Sequence, residues 1–122
     1  MGKTAFIVIY DWDNLEDYDL HMYGYEVLGV FDTYDNAYSA VQKIKAQHEK
    51  FCSESIKLAE SDEWEGVYTL EGYYEVKDDK AHETIITWRT LTNDIGYDCE
   101  HRFIIRTMEL NKYDMDLCTM SN

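Results

Sequence analysis

One amphipathic stripe constrains this chain more than any other feature. Tyr34, Ala37, Tyr38, Val41, Ile44, His48 and Phe51 recur at spacings of three and four, the period of an α-helix with one apolar face. Asp32 or Thr33 can cap its start, and Asp35 lies where the positive end of the helix dipole favours an acid. Lys43, Lys45 and Lys50 gather toward the opposite end, where a cation is favoured. The spacing predicts a helix from about Thr33 to Phe51, buried through Ala37, Val41 and Ile44. Such a helix must hide its apolar face against a second layer, which the rest of the chain has to supply.

That layer reads as strands. Thr4 to Asp11 (TAFIVIYD) is almost continuously apolar and β-branched, the pattern of a strand covered on both faces. Asp11 to His21 (DWDNLEDYDLH) is too polar to extend it and reads as an acidic loop. Tyr25 to Phe31 is a second strand, with Gly29 a bulge or close-approach point. Beyond Phe51, Ser53 can cap a short second helix through Ala59, and Glu60 to Glu65 reads as an acidic turn around Trp64. Gly66 to Val76 is a strand candidate interrupted by Gly72, His82 to Leu91 is another, and Arg102 to Leu110 is the last. The order β-β-α, an optional helix, then β-β-β predicts an α+β fold. Its main helix packs on one face of a mainly antiparallel sheet of four to five strands.

With 122 residues, no proline and no low-complexity linker, positions 1–122 are expected to form a single domain. A 45% hydrophobic content can fill its core, which argues against disorder despite the charge. No membrane association is expected: the longest apolar stretch, Ala5 to Tyr10, falls far short of the roughly 20 residues of a span. The start of the chain lacks a secretory pattern, and Phe6 stands where a myristoylation motif needs Ser or Thr. A cytoplasmic protein is expected. Cys52, Cys99 and Cys118 are odd in number and form no CxxC pair, as for incidental thiols in a reducing compartment.

The formal charge of −14 bears most directly on function. It opposes direct binding to DNA, RNA or anionic lipid, which need a basic face, and favours a basic partner, a cation or solubility. The densest acidic run holds Asp11, Asp13, Glu16, Asp17 and Asp19 with no cation among them, and Trp12 and Tyr18 add flat rings of the kind that anchor interfaces. Asp11 and Asp13 have the first spacing of an EF-hand, but Leu15, Glu16 and Met22 occupy positions that need a ligand, a glycine and a bidentate Glu, so no metal site is expected. The same acids can substitute for nucleotide phosphates against an Arg/Lys-lined groove, or form a solvated loop. Glu60, Asp62, Glu63 and Glu65 cluster around Trp64; Glu71, Glu75, Asp78 and Asp79 form a third group, and Asp94, Asp98 and Glu100 a fourth. Tyr10, Tyr25, Tyr34 and Tyr38 are expected in the core, and the tyrosines set among acids at half-exposed sites.

Catalysis finds little support. His21, His48, His82 and His101 show no metal-ligand spacing, and no P-loop, GxGxxG or GxSxG occurs. Cys99 and His101 share a strand face, but nothing supplies an orienting group or oxyanion hole. No cofactor and no enzymatic activity are expected.

Two segments carry a likeness: AFIVIYDW followed by YGYEVLGVFDTYDNAYSAVQKIK, and RFIIRTMELN. Together they resemble very small phage and Gram-positive bacterial proteins of unknown function, built of two strands, a helix introduced by a GVF-D-T turn, and a closing strand. The resemblance covers about 4–47 and 102–111, with about 48–101 as an elaborating insertion. It implies a phage setting, in a host cytoplasm, where small acidic proteins include anti-CRISPR proteins and DNA mimics. The expectation is thus an inhibitor that binds a basic nucleic-acid-handling host or defence protein and blocks its nucleic-acid site. Asp11, Trp12, Asp13, Glu16, Asp17, Tyr18, Asp19, Glu63, Trp64 and Glu65 would make the contact. The alternatives are a protein that sequesters a nucleotide signal through Arg89, Arg102 and Arg106, or a non-inhibitory regulatory subunit. A homodimer is compatible with each.

Overall fold

The computed structural model describes residues 4–14, 23–60, 67–92 and 98–109. Five strands, β1 (Thr4–Asn14), β2 (Tyr23–Phe31), β3 (Tyr68–Asp78), β4 (Glu83–Thr92) and β5 (Cys99–Glu109), accompany one helix, α1 (Tyr34–Glu60). The sheet order is β2-β1-β5-β4-β3, and every neighbouring pair is antiparallel. The fold is α+β, as the order of elements predicts. The last strand sits at the centre because β1 pairs with β5 along its whole length, from Thr4 opposite Glu109 to Asn14 opposite Cys99.

The helix lies on one face of this sheet. Ala37 and Val41 are fully buried against Val8, Ile86, Trp88, Phe103 and Ile105, and Ile44, Tyr34 and Tyr38 pack at the margin. Burying a side chain such as Val41 contributes roughly 1.5–3 kcal/mol. Thr33 caps the helix, its Oγ1 accepting a 3.1 Å hydrogen bond from the Asn36 backbone N–H, while the Asn36 amide donates to Asp32.

The helix does not stop near Phe51. It continues unbroken to Glu60, so Ser53 caps nothing. The continuation is held by small buried residues: Cys52 is 7% exposed and Ser55 3%. The Ser55 hydroxyl donates to the Cys52 carbonyl at 2.7 Å and accepts from the Tyr68 N–H at 2.9 Å, fastening the last turns to the start of β3. The helix therefore crosses position 48 without a break. β4 adds Ile86 and Trp88 to the centre of the core, so much of 48–101 is central to the packing rather than peripheral.

Two further expectations change. β1 extends to Asn14, so Asp11, Trp12 and Asp13 are strand residues paired with both β2 and β5. Strand alternation tolerates them because the sheet face opposite α1 has no layer over it among the described residues, leaving room for Asp11 and Asp13. β1 is nonetheless buried on both faces along its first half, with Val8 1% exposed on the helix side and Ala5 5% and Ile9 3% on the other. Tyr25, on that open face, is 65% exposed instead of buried. Gly29 does mark an irregularity, opposite the shift between Val8 and Ile9. Gly72 bends β3 without ending it: its φ of 68° falls at the shift between Glu71 and Tyr74, a backbone that glycine adopts without strain. Among the described residues no helix is long and apolar enough to cross a membrane.

Candidate functional site

The topology sorts the connections by end. The chain leaves β1 at Asn14 and re-enters at Tyr23, leaves α1 at Glu60 and re-enters β3 at Tyr68, and leaves β4 at Thr92 and re-enters β5 at Cys99. Because all neighbouring strands are antiparallel, these six termini lie at the same end of the sheet. The three joining segments, 15–22, 61–66 and 93–97, carry Glu16, Asp17 and Asp19, then Asp62, Glu63 and Glu65, then Asp94, and contain no Lys or Arg. The C-terminus of α1 points the same way and brings the negative pole of its dipole, worth about half an elementary charge.

Among the described residues, Asp11, Asp13, Glu100 and Arg102 line a small concavity of about 150 Å³ at this end. Arg102 donates to Asp11 at 2.6 Å and Arg89 to Glu100 at 3.2 Å, so two of these acids are already matched. Asp98 accepts the Thr92 N–H at 2.9 Å and so closes the β4–β5 end. Trp12 does not project freely. It lies on the helix-side face, half-buried, with its indole over Gly24 of β2, where a Cβ would collide with Nε1. Asp11 and Asp13 stand on the opposite face, so the strand divides the residues that the sequence sets side by side. Glu16, Asp17, Tyr18, Asp19, Glu63, Trp64 and Glu65 lie outside the described residues.

Not every acid belongs to this end. Glu75 faces α1, where its Oε2 accepts from Tyr38 at 2.8 Å and from Tyr73 at 2.6 Å, and Tyr73 accepts from Gln42. Asp78 accepts from the N–H groups of Lys80 and Ala81 and shapes the β3–β4 turn at the far end.

A buried aromatic and imidazole network lies under the helix. Tyr10 OH is 2.6 Å from His101 Nδ1, and Thr90 Oγ1 is 2.8 Å from Nε2. Burial pushes the Tyr10 phenol up, so it keeps its proton, and both ring nitrogens of His101 are engaged by hydroxyl groups. Trp88 donates to His48 Nδ1 at 2.9 Å, and the two imidazoles are 4.6 Å apart. Burial drives His101 down to about 4, assisted by the facing His48, and lowers His48 as well. Cys99 Sγ is 3.9 Å from the Nδ1 that Tyr10 already occupies, and burial raises the thiol. A weakly acidic thiol beside an engaged, weakly basic imidazole is poorly prepared for nucleophilic chemistry.

Arg89, Arg102 and Arg106 do share one face, the open one, but each is bound to a carboxylate across the sheet, with Arg106 to Glu83 at 2.7 Å. A phosphate ligand would have to displace those partners. Among the described residues no group of three or more His, Cys, Asp or Glu could hold a metal ion. Sequence reasoning missed the imidazole pair, whose members lie 53 positions apart. It also missed the cross-strand ion pairs, whose only sequence signal is the two-residue period of Arg102, Ile104 and Arg106. Compared with known protein families, characterised proteins and solved structures, the chain matches none.

Proposed function

We propose that the protein is a binding module whose acidic sheet end docks on a basic, nucleic-acid-handling protein and occludes its nucleic-acid site. The observation that supports it is that the element ends flanking three connections, whose sequences are acidic and hold no Lys or Arg, lie at one end of the sheet with the α1 C-terminus. Carboxylates held close together sum into a field that steers a basic groove and competes with phosphates for it. Single exposed ion pairs are weak, so the collective field rather than any one acid carries the recognition. The resemblance of the β1–β2–α1 and β5 segments to small phage proteins adds the phage and anti-defence setting, with an anti-CRISPR protein or DNA mimic as the type.

The experiment is capture from a nuclease-treated bacterial lysate at low salt, followed by competition. The reading expects a basic protein that duplex DNA or RNA displaces from the column. Retained proteins that nucleic acid does not displace would contradict it.

A further inference from the structure

The two outer strands of the sheet are built differently. β3 closes one side and β2 the other, and each turns a row of main-chain N–H and C=O groups away from the sheet. Natural edges are defended by charges, by lysine above all, and by bends. β3 has these: Glu71, Glu75, Lys77 and Asp78 lie along it, and Gly72 bends it at a φ of 68°. β2 has little of this, for Glu26 is the one charged residue in YGYEVLGVF. Its bulge, at Leu28 opposite the shift between Val8 and Ile9, leaves residues 23–27 in unbroken register with residues 9–13 of β1. A stretch of that length is an ordinary strand. Its two faces differ in character. Away from α1, Tyr25 and Val27 are 65% and 57% exposed. On the helix side stand Gly24 and Glu26, opposite Trp12 and Tyr10. Gly24 adds no side chain beside the Trp12 indole, and Glu26 is exposed and bound to no cation among the described residues.

We infer that the outer side of β2 accepts an extended segment of the basic partner, which adds as one more strand beside residues 23–27 and alternates apolar residues with Lys or Arg. The edge selects an extended backbone, whose own N–H and C=O groups match the exposed row. The pleat selects the side chains. Apolar ones lie beside Tyr25 and Val27, and those between them reach across Gly24 toward Glu26. Charge selects the source. A second copy would bring a further −14 and its own Glu26, whereas a basic segment is drawn in. β2 also starts at the acidic end, so a segment docked here runs alongside that end. The inference rests on the proposed function for the charge of the partner, and on the strand edge for the place.

The probe is a nine-residue peptide of alternating valine and lysine, as long as β2, added to the whole chain at low salt. A counterpart methylated at every backbone nitrogen keeps the charge and loses the donors. Binding of the first peptide should slow hydrogen exchange at the outer amides of β2 and leave β3 unchanged. The methylated peptide should bind at least about tenfold more weakly, the worth of one or two net hydrogen bonds. V27K should weaken the plain peptide as well, because it sets a cation where an apolar contact is needed. That site is exposed, so the variant should melt as wild type does; if it does not, the methylated peptide, which needs no variant, decides alone. Equal affinity for the two peptides would mean adsorption by charge alone and overturns the inference. So does an absence of binding, protection confined to β3, or a chain that sediments as a dimer with its β2 edge already protected. None of these results bears on the lysate capture. A captured basic protein that leaves β2 exchange unchanged would sink this inference and leave the proposed function standing.

Discussion

Acidification should strike the imidazole pair under α1 before it strikes the rest of the core. His101 is 8% exposed, is hydrogen-bonded to Tyr10 and Thr90 through its two ring nitrogens and faces His48, so a proton added there meets no carboxylate partner. The groups around the pair are Tyr10 on β1, Cys99 on β5, Trp88 and Thr90 on β4, and His48 on α1 itself. Its pKa is about 4 in the fold against an ordinary 6.5 unfolded. Between those values the unfolded chain binds more protons than the native one, so stability rises with pH there. The contribution is complete above 6.5 and is lost as pH falls toward 4. The full difference corresponds to about 3 kcal/mol. Relief of repulsion among the carboxylates acts in the opposite direction, so the comparison must be with a chain that lacks the imidazole. Urea unfolding of wild type and H101Q from about pH 7.5 to about pH 4.5 should give curves that converge on acidification, by about 2–3 kcal/mol. Nuclear magnetic resonance on the native protein should place the His101 titration well below 6. Parallel stability curves, or a native titration near 6.5, would refute the reasoning.

Val41→Asp should destabilise by several kcal/mol, because it places an unpaired charge at a fully buried site against Ile86 and Trp88; an unchanged melting temperature would contradict that packing. Gly24→Val should cost about 1–3 kcal/mol by displacing the Trp12 indole, and tryptophan emission should shift to the red as that ring meets water. A gel shift at low salt should show no tight complex with duplex DNA or structured RNA, as the charge of −14 requires.

The helix was legible because its stripe is built from large apolar residues at the right period, and Thr33 caps it as the sequence implies. That it runs on to Glu60 without a break, rather than giving way to a second short helix, was not, since Ser55 looks polar in sequence and finds its partner, the Tyr68 N–H, only in the fold. The end of β1 was hidden for a related reason. Asp11 and Asp13 look like loop residues until the sheet is seen to have an uncovered face, with Arg102 placed opposite Asp11 by a strand 91 positions away. Tyr25 misled in the other direction, because an aromatic on a strand is buried only where a second layer covers it. The acidic clusters were visible in sequence, but the convergence of their connections depends on strand direction, which composition does not contain.

The central claim is that the acidic end acts through its summed charge. The decisive measurement is the rate of association with the captured partner as a function of salt, for wild type and for a variant neutralised at Asp13, Glu16, Asp17, Asp19, Glu63 and Glu65. Asp11 is left in place because it holds Arg102. Wild type should associate fast and slow steeply with added salt, and the variant should associate at least about tenfold more slowly with a flatter slope, while melting no lower. Equal rates and equal salt slopes would contradict the account.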